Sequence, residues 1–184
     1  VTTVYAAGEG TAKKSYTANK ASKAAKKNAE DAIAEGVAKG LTVQEAMAEI
    51  MEADSSNTGI AAAVAAAIKA DSTNAGEITK FALSKAPSKS AAITNAALAA
   101  VSTPTERRQI AAAAAEQGVS VSVINTQLKD VTKNANGAYE QFAVDSKNNT
   151  STISTVTPAP KNTQQETVGT VSYTHLRAHE TVLD

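Results

Sequence analysis

One β-branched residue recurs every 14 to 18 positions through the middle of this chain, and each time it opens a short alanine-rich apolar run. The runs begin at Val43 (VQEAMAEI), Ile60 (IAAAVAAAI), Ile78 (ITKFALSKA), Ile93 (ITNAALAAV), Ile110 (IAAAAAEQ) and Ile124 (INTQLKDV). Within each run the apolar residues fall at i, i+3/i+4 and i+7/i+8, the spacing of one face of an α-helix about three turns long. A helix that short is marginal alone and must bury its stripe against neighbours. The sequence therefore predicts an all-α fold, an array or irregular bundle of short antiparallel helices joined by short connectors.

The junctions carry matching punctuation. Thr42 with Glu45, Asn74 with Glu77, and Thr103 with Glu106 have the spacing of a capping box, and Pro104 takes a first-helical position. Pro87 and Gly118 are expected to end helices. Asp54–Thr58 and Asp71–Asn74 read as polar connectors. Ser120 to Val123 alternates Ser and Val, but Ile124, Leu128 and Val131 continue a helical face, so a helix is expected to start there. A last helix is expected over Asn136–Asp145, with Tyr139, Phe142 and Ala143 inward.

Upstream of the repeats, Val1–Gly10 reads as an N-terminal arm and Thr11–Gly40 as a long helix. Lys13, Lys14, Lys20, Lys23, Lys26 and Lys27 crowd its first half, and Glu30, Asp31 and Glu35 follow. Ala25, Ala29, Ile33 and Val37 form one narrow stripe, and Gly40 supplies a C-terminal stop. The expected organisation is an arm at 1–10, a helical domain at 11–145 with its repeats at 41–131, and a Thr/Ser/Pro-rich linker at 146–170. That linker has almost no core formers and is expected to be a flexible tail.

Val171–Asp184 is of a different kind. Its VSYTHLRAHET resembles the in-frame translation of a transposase sequencing-library adapter. The resemblance implies that 171–184 is an artefact contributing nothing to the fold, and that the natural chain continues past Thr170. It also removes the best metal constellation in the chain. His175 and His179, the two histidines, stand at i and i+4 with Glu180 adjacent, as a zinc site on one helix face would need. With the tail set aside, no metal, cofactor or catalytic residue is expected.

About a fifth of the residues are Ala, while the chain has four Tyr, two Phe and no Trp or Cys. Each buried Ala removes little apolar area, so the core is thin per residue, but small side chains let helices approach closely. Charge is balanced at eighteen basic and eighteen acidic residues, which implies no general attraction to nucleic acid or an anionic membrane. The longest apolar run, Ile60–Ile68, is far below the roughly 20 residues of a membrane span.

The run Ala92–Pro104, in which Ile93-Thr94 is followed by Ala96-Ala97-Leu98 and closed by Pro104, resembles the Ala-rich short-helix repeats of exported bacterial proteins; Gly76–Pro87 matches it loosely. The resemblance implies a helical, non-catalytic secreted or surface protein and carries over no functional residues.

Other candidates read as ordinary surface. Lys13–Lys27 suits anionic polymers, but more simply forms a solvated face. Arg107-Arg108 is expected to be surface charge beside Glu106. Glu45, Glu49, Glu52 and Asp54 lack the alternating ligands and glycine of a calcium loop. Gly8-Glu9-Gly10 lacks the rest of a phosphate loop. Asn148-Asn149-Thr150 and Asn149-Thr150-Ser151 fit the glycosylation acceptor pattern. No nucleophile elbow or paired acids stand out. The expected function is a structural or assembly protein, such as the subunit of an extracellular filament or surface layer, with itself as partner. The alternative is a helical binding module for a protein or an anionic polymer, acting through the Lys-rich first helix.

Overall fold

The computed structural model describes residues 26–159. Seven helices come first: α1 over residues 26–38, α2 Val43–Ala53, α3 Asn57–Ala70, α4 Ala75–Lys85, α5 Ser90–Ala100, α6 Pro104–Glu116 and α7 Val121–Thr132. A hairpin of β1 (Tyr139–Asp145) and β2 (Thr150–Val156) follows. The arm at 1–10, the phosphate-loop candidate at Gly8–Gly10, Lys13 to Lys23 and the adapter-like tail with His175, His179 and Glu180 lie outside the described residues.

The repeat anchors form the spine of the core. Ile60, Ile78, Ile93, Ile110 and Ile124 are buried, and Val43 is half-buried against the same cluster. The two closest helix pairings join alternate helices, α3 with α5 and α4 with α6, and α5 also packs on α7, so from α3 onward odd and even helices form two rows; α2 packs chiefly on its neighbour α3. The α3–α5 pairing presents Ala62, Ala63, Ala66 and Ala67 on one helix and Ala96 and Ala97 on the other, all buried. Close approach thus replaces the area that larger side chains would bury.

Helix ends follow the sequence at most junctions. Thr42 and Thr103 each close a complete capping box with Glu45 and Glu106. Ser56 and Ser120 accept from the amides of Gly59 and Val123. Gly40 and Gly118, at φ +96° and +83°, close Schellman turns, with Leu41 N–H donating to Gly36 O and Val119 N–H to Ala114 O. Asn74 departs from expectation. It makes no cap: a 3₁₀ turn at Ser72–Asn74 feeds directly into α4, with the Ala75 amide donating to Ser72 O, and the Asn74 side chain donates to Asp71 Oδ2 instead. Pro87 opens a like turn, Pro87–Lys89, before α5. On α1, Ala29 and Ile33 are buried, but Val37 is 44% exposed, and Gly36 takes the next inward position. A Cβ at Gly36 would lie 2.8 Å from Ala46 Cβ, so its absence lets α1 settle on α2.

The fold is mostly helical but not all-α. The helix expected over Asn136–Asp145 is a strand, and the linker expected from Ser146 contains its partner. The two run antiparallel, with Phe142 opposite Ile153, around a turn in which Asn149 has φ +50°. Phe142 is 1% exposed and joins the helical core, and Ile153 packs beside it. Strand geometry wins because side chains on α7 replace the helical hydrogen bonds that β1 gives up. The Asn125 amide accepts from Phe142 N–H at 2.7 Å and donates to Phe142 O at 3.0 Å. Thr132 Oγ1 accepts from Glu140 N–H at 2.8 Å.

Candidate interaction surface

Ion pairing inside the fold settles several candidates. Arg107 is not surface charge beside Glu106. Its guanidinium grips Glu140 on β1 with two bonds of 2.6 and 2.7 Å, and the two side chains are only 11% and 13% exposed. Glu106 is occupied by its capping box instead. Arg108 is exposed and lines a separate hollow with Glu77 and Gln109, so the two arginines do not converge as an anion clamp.

The acidic candidates separate likewise. Glu45 accepts from Thr42 N–H and Oγ1, and the Thr42 amide, then its hydroxyl, holds the carboxyl below its usual range. Glu106 is lowered in the same way, first by the Thr103 hydroxyl and then by its amide. Asp54 is lowered by the hydroxyl and amide of Ser56, the amide donating to Oδ1 at 3.0 Å. These carboxylates hold helix ends. Among the described residues no three His, Cys, Asp or Glu stand together as metal ligands, and no helix is long and apolar enough to cross a membrane. Asn148 and Asn149 occupy the exposed hairpin turn, where Asn148 donates to Asp145.

Among the described residues, the helical rows leave open a shallow trough across α1, α3 and α5. One stretch, about 420 Å³, has a floor of Ala61, Ala62, Ala65, Ala66, Ala96, Ala99 and Ala100, with Lys26, Glu30, Lys69 and Asn95 around it. A second stretch, about 570 Å³, is lined by Ile33, Ala34, Val37, Val43, Ala66 and Ala70. Glu30 and Lys69 border both, and their 2.9 Å ion pair spans the trough between them. Asn95 donates to Gln127 at 2.8 Å, tying that rim to α7. Glu30 and Lys69 are therefore engaged with each other and Asn95 with Gln127, beside a methyl-lined floor. Its alanines were visible in the sequence as helix formers, but which of them stay uncovered depends on the pairing of alternate helices.

No protein-family model matches the chain, and no curated protein or solved structure matches it either. The reading of this surface rests on its own chemistry.

Proposed function

We propose that the protein is a non-catalytic structural or assembly subunit, of the kind that builds an extracellular filament or surface layer, with copies of itself as principal partner. The alanine-floored trough carries this reading. A floor of methyl groups offers no convergent polar or titratable groups to activate a substrate, but it lets another helix approach closely. Glu30 and Lys69 on its rim are already paired, so covering them leaves neither without its counter-charge. Light scattering on the full chain tests the reading. Masses above the 18.7 kDa monomer that rise with concentration and persist in high salt are expected; a monomer under every condition defeats it.

A second reading, binding of an anionic polymer through the Lys-rich first helix, is favoured by Lys26 of that helix lying on the trough. A gel shift with a polyanion that weakens steeply as salt rises is its expected signature, and indifference to salt excludes it.

A further inference from the structure

We propose that the free edge of β2 pairs antiparallel, about a two-fold axis at Ile153, with β2 of a second copy. The inference rests on the self-assembly reading above and names one of its contacts.

Among the described residues the hairpin is a sheet of two strands, so each has an outer edge. Backbone groups in an antiparallel pair point alternately toward and away from the partner. On β1, the peptide groups of Glu140 and Phe142 turn away from β2 and are taken up by Thr132 and Asn125 of α7. Their opposites on β2 are Thr155 and Ile153, with Ser151 next in the series. The peptide groups of Ser151, Ile153 and Thr155 therefore point to the outer edge, where no strand lies among the described residues.

The strand itself carries none of the residue-level devices that keep edge strands apart. Thr150–Val156 has no charge, no proline and no bulge. It consists of β-branched residues and serines, well suited to a pleated surface. Its chemistry is also symmetric about Ile153. Thr152 and Ser154 flank it, then Ser151 and Thr155, then Thr150 and Val156. A two-fold pairing places hydroxyl opposite hydroxyl, β-branched opposite β-branched and Ile153 opposite itself, with no like charges facing. With Ile153 on the axis, Ser151, Ile153 and Thr155 would exchange six main-chain hydrogen bonds with the second copy. Because the axis relates identical strands, this contact closes at a dimer.

The chain has no cysteine, so single cysteines report the register. Two full-chain variants, Thr152→Cys and Ser154→Cys, would face each other across the axis, whereas each lies diagonal to its own copy. Mixed under mild oxidation, they are expected to form the heterodisulfide at least about tenfold faster than either forms its own. In parallel, Thr155→Pro removes an outward N–H and leaves the ladder to β1 intact. It is expected to weaken dimerisation at least about tenfold with circular dichroism unchanged. If the mixture shows no heterodisulfide preference while the wild-type chain still self-associates, the edge is not the contact but the assembly reading survives. If there is no preference and the wild type is monomeric throughout, both fail.

Discussion

Two buried threonines occupy equivalent places in successive repeats and differ in one hydrogen bond. Thr79 and Thr94 each stand four residues after the first residue of their helix, Ala75 and Ser90, and each is 0% exposed. Thr79 Oγ1 donates to Ala75 O at 2.7 Å, while Thr94 Oγ1 has no partner among the described residues. Valine replaces the hydroxyl with a methyl of similar size and similar helix propensity. At position 94 this removes an unsatisfied buried hydroxyl, whose burial costs about 1–3 kcal/mol. Thr94→Val is therefore expected to stabilise the protein by about 1–2 kcal/mol. At position 79 the substitution loses a hydrogen bond worth about 0.5–1.5 kcal/mol and gains burial of a methyl worth about 0.8 kcal/mol, so Thr79→Val is expected to lie within about 1 kcal/mol of wild type. Urea denaturation followed at 222 nm gives both values, provided the slope m is unchanged. The midpoint temperature should move by about 4 °C per kcal/mol. Thr94→Val destabilising as much as Thr79→Val, or more, would falsify the assignment of Thr94 as an orphan.

Three further outcomes follow from the same contacts. Phe142→Ala empties a core position and is expected to cost about 3–5 kcal/mol, with amide exchange accelerated most along β1; a loss below about 1 kcal/mol means that the hairpin is not docked on the helices. Glu140→Ala leaves the Arg107 guanidinium nearly enclosed without its carboxylate and is expected to cost about 3 kcal/mol. Exchanging the two charges (R107E with E140R) should recover part of that loss, and no recovery would mean the pair does not interact. Glu45 and Glu106 have lowered pKa values, so their stabilising contribution is present above the ordinary carboxyl value of 4.5 and is lost as pH falls through the lowered values. The double variant E45Q/E106Q should keep much of the capping geometry yet show a flatter loss of stability below pH 4.5; an unchanged acid profile would assign the effect elsewhere.

The helical part was legible because each repeat states its own chemistry locally. Each carries its β-branched anchor, several carry a threonine or serine cap, and Ile78, Ile93, Ile110 and Ile124 are buried as their spacing requires. The hairpin was not legible because what makes it a hairpin is distant in sequence. Tyr139, Phe142 and Ala143 have helical spacing, and the strand's inward pair of Glu140 and Phe142 is disguised by a charge. Arg107, 33 residues away, neutralises that charge. β2 offers Ile153 and Val156 among threonines and serines, which reads as a linker until β1 lies beside it. The Asn148-Asn149 pair ahead of a β-branched run was the available hint of a turn. The trough was hidden for a related reason. Alanine marks a helix wherever it occurs, and only the alternate-helix pairing decides whether a given methyl, such as that of Ala97 or Ala99, is covered or open.

Self-assembly through the alanine floor is the central claim, and sedimentation velocity tests it most directly. Wild-type protein is compared over about a hundredfold concentration range with the variant A65K/A99K, in which two long charged side chains rise from that floor. The account predicts wild-type species growing beyond a dimer as concentration rises, and a variant that stops at the dimer, because the β2 edge alone closes on itself. A wild-type chain that sediments at 18.7 kDa throughout the range, or a variant that grows as the wild type does, contradicts it.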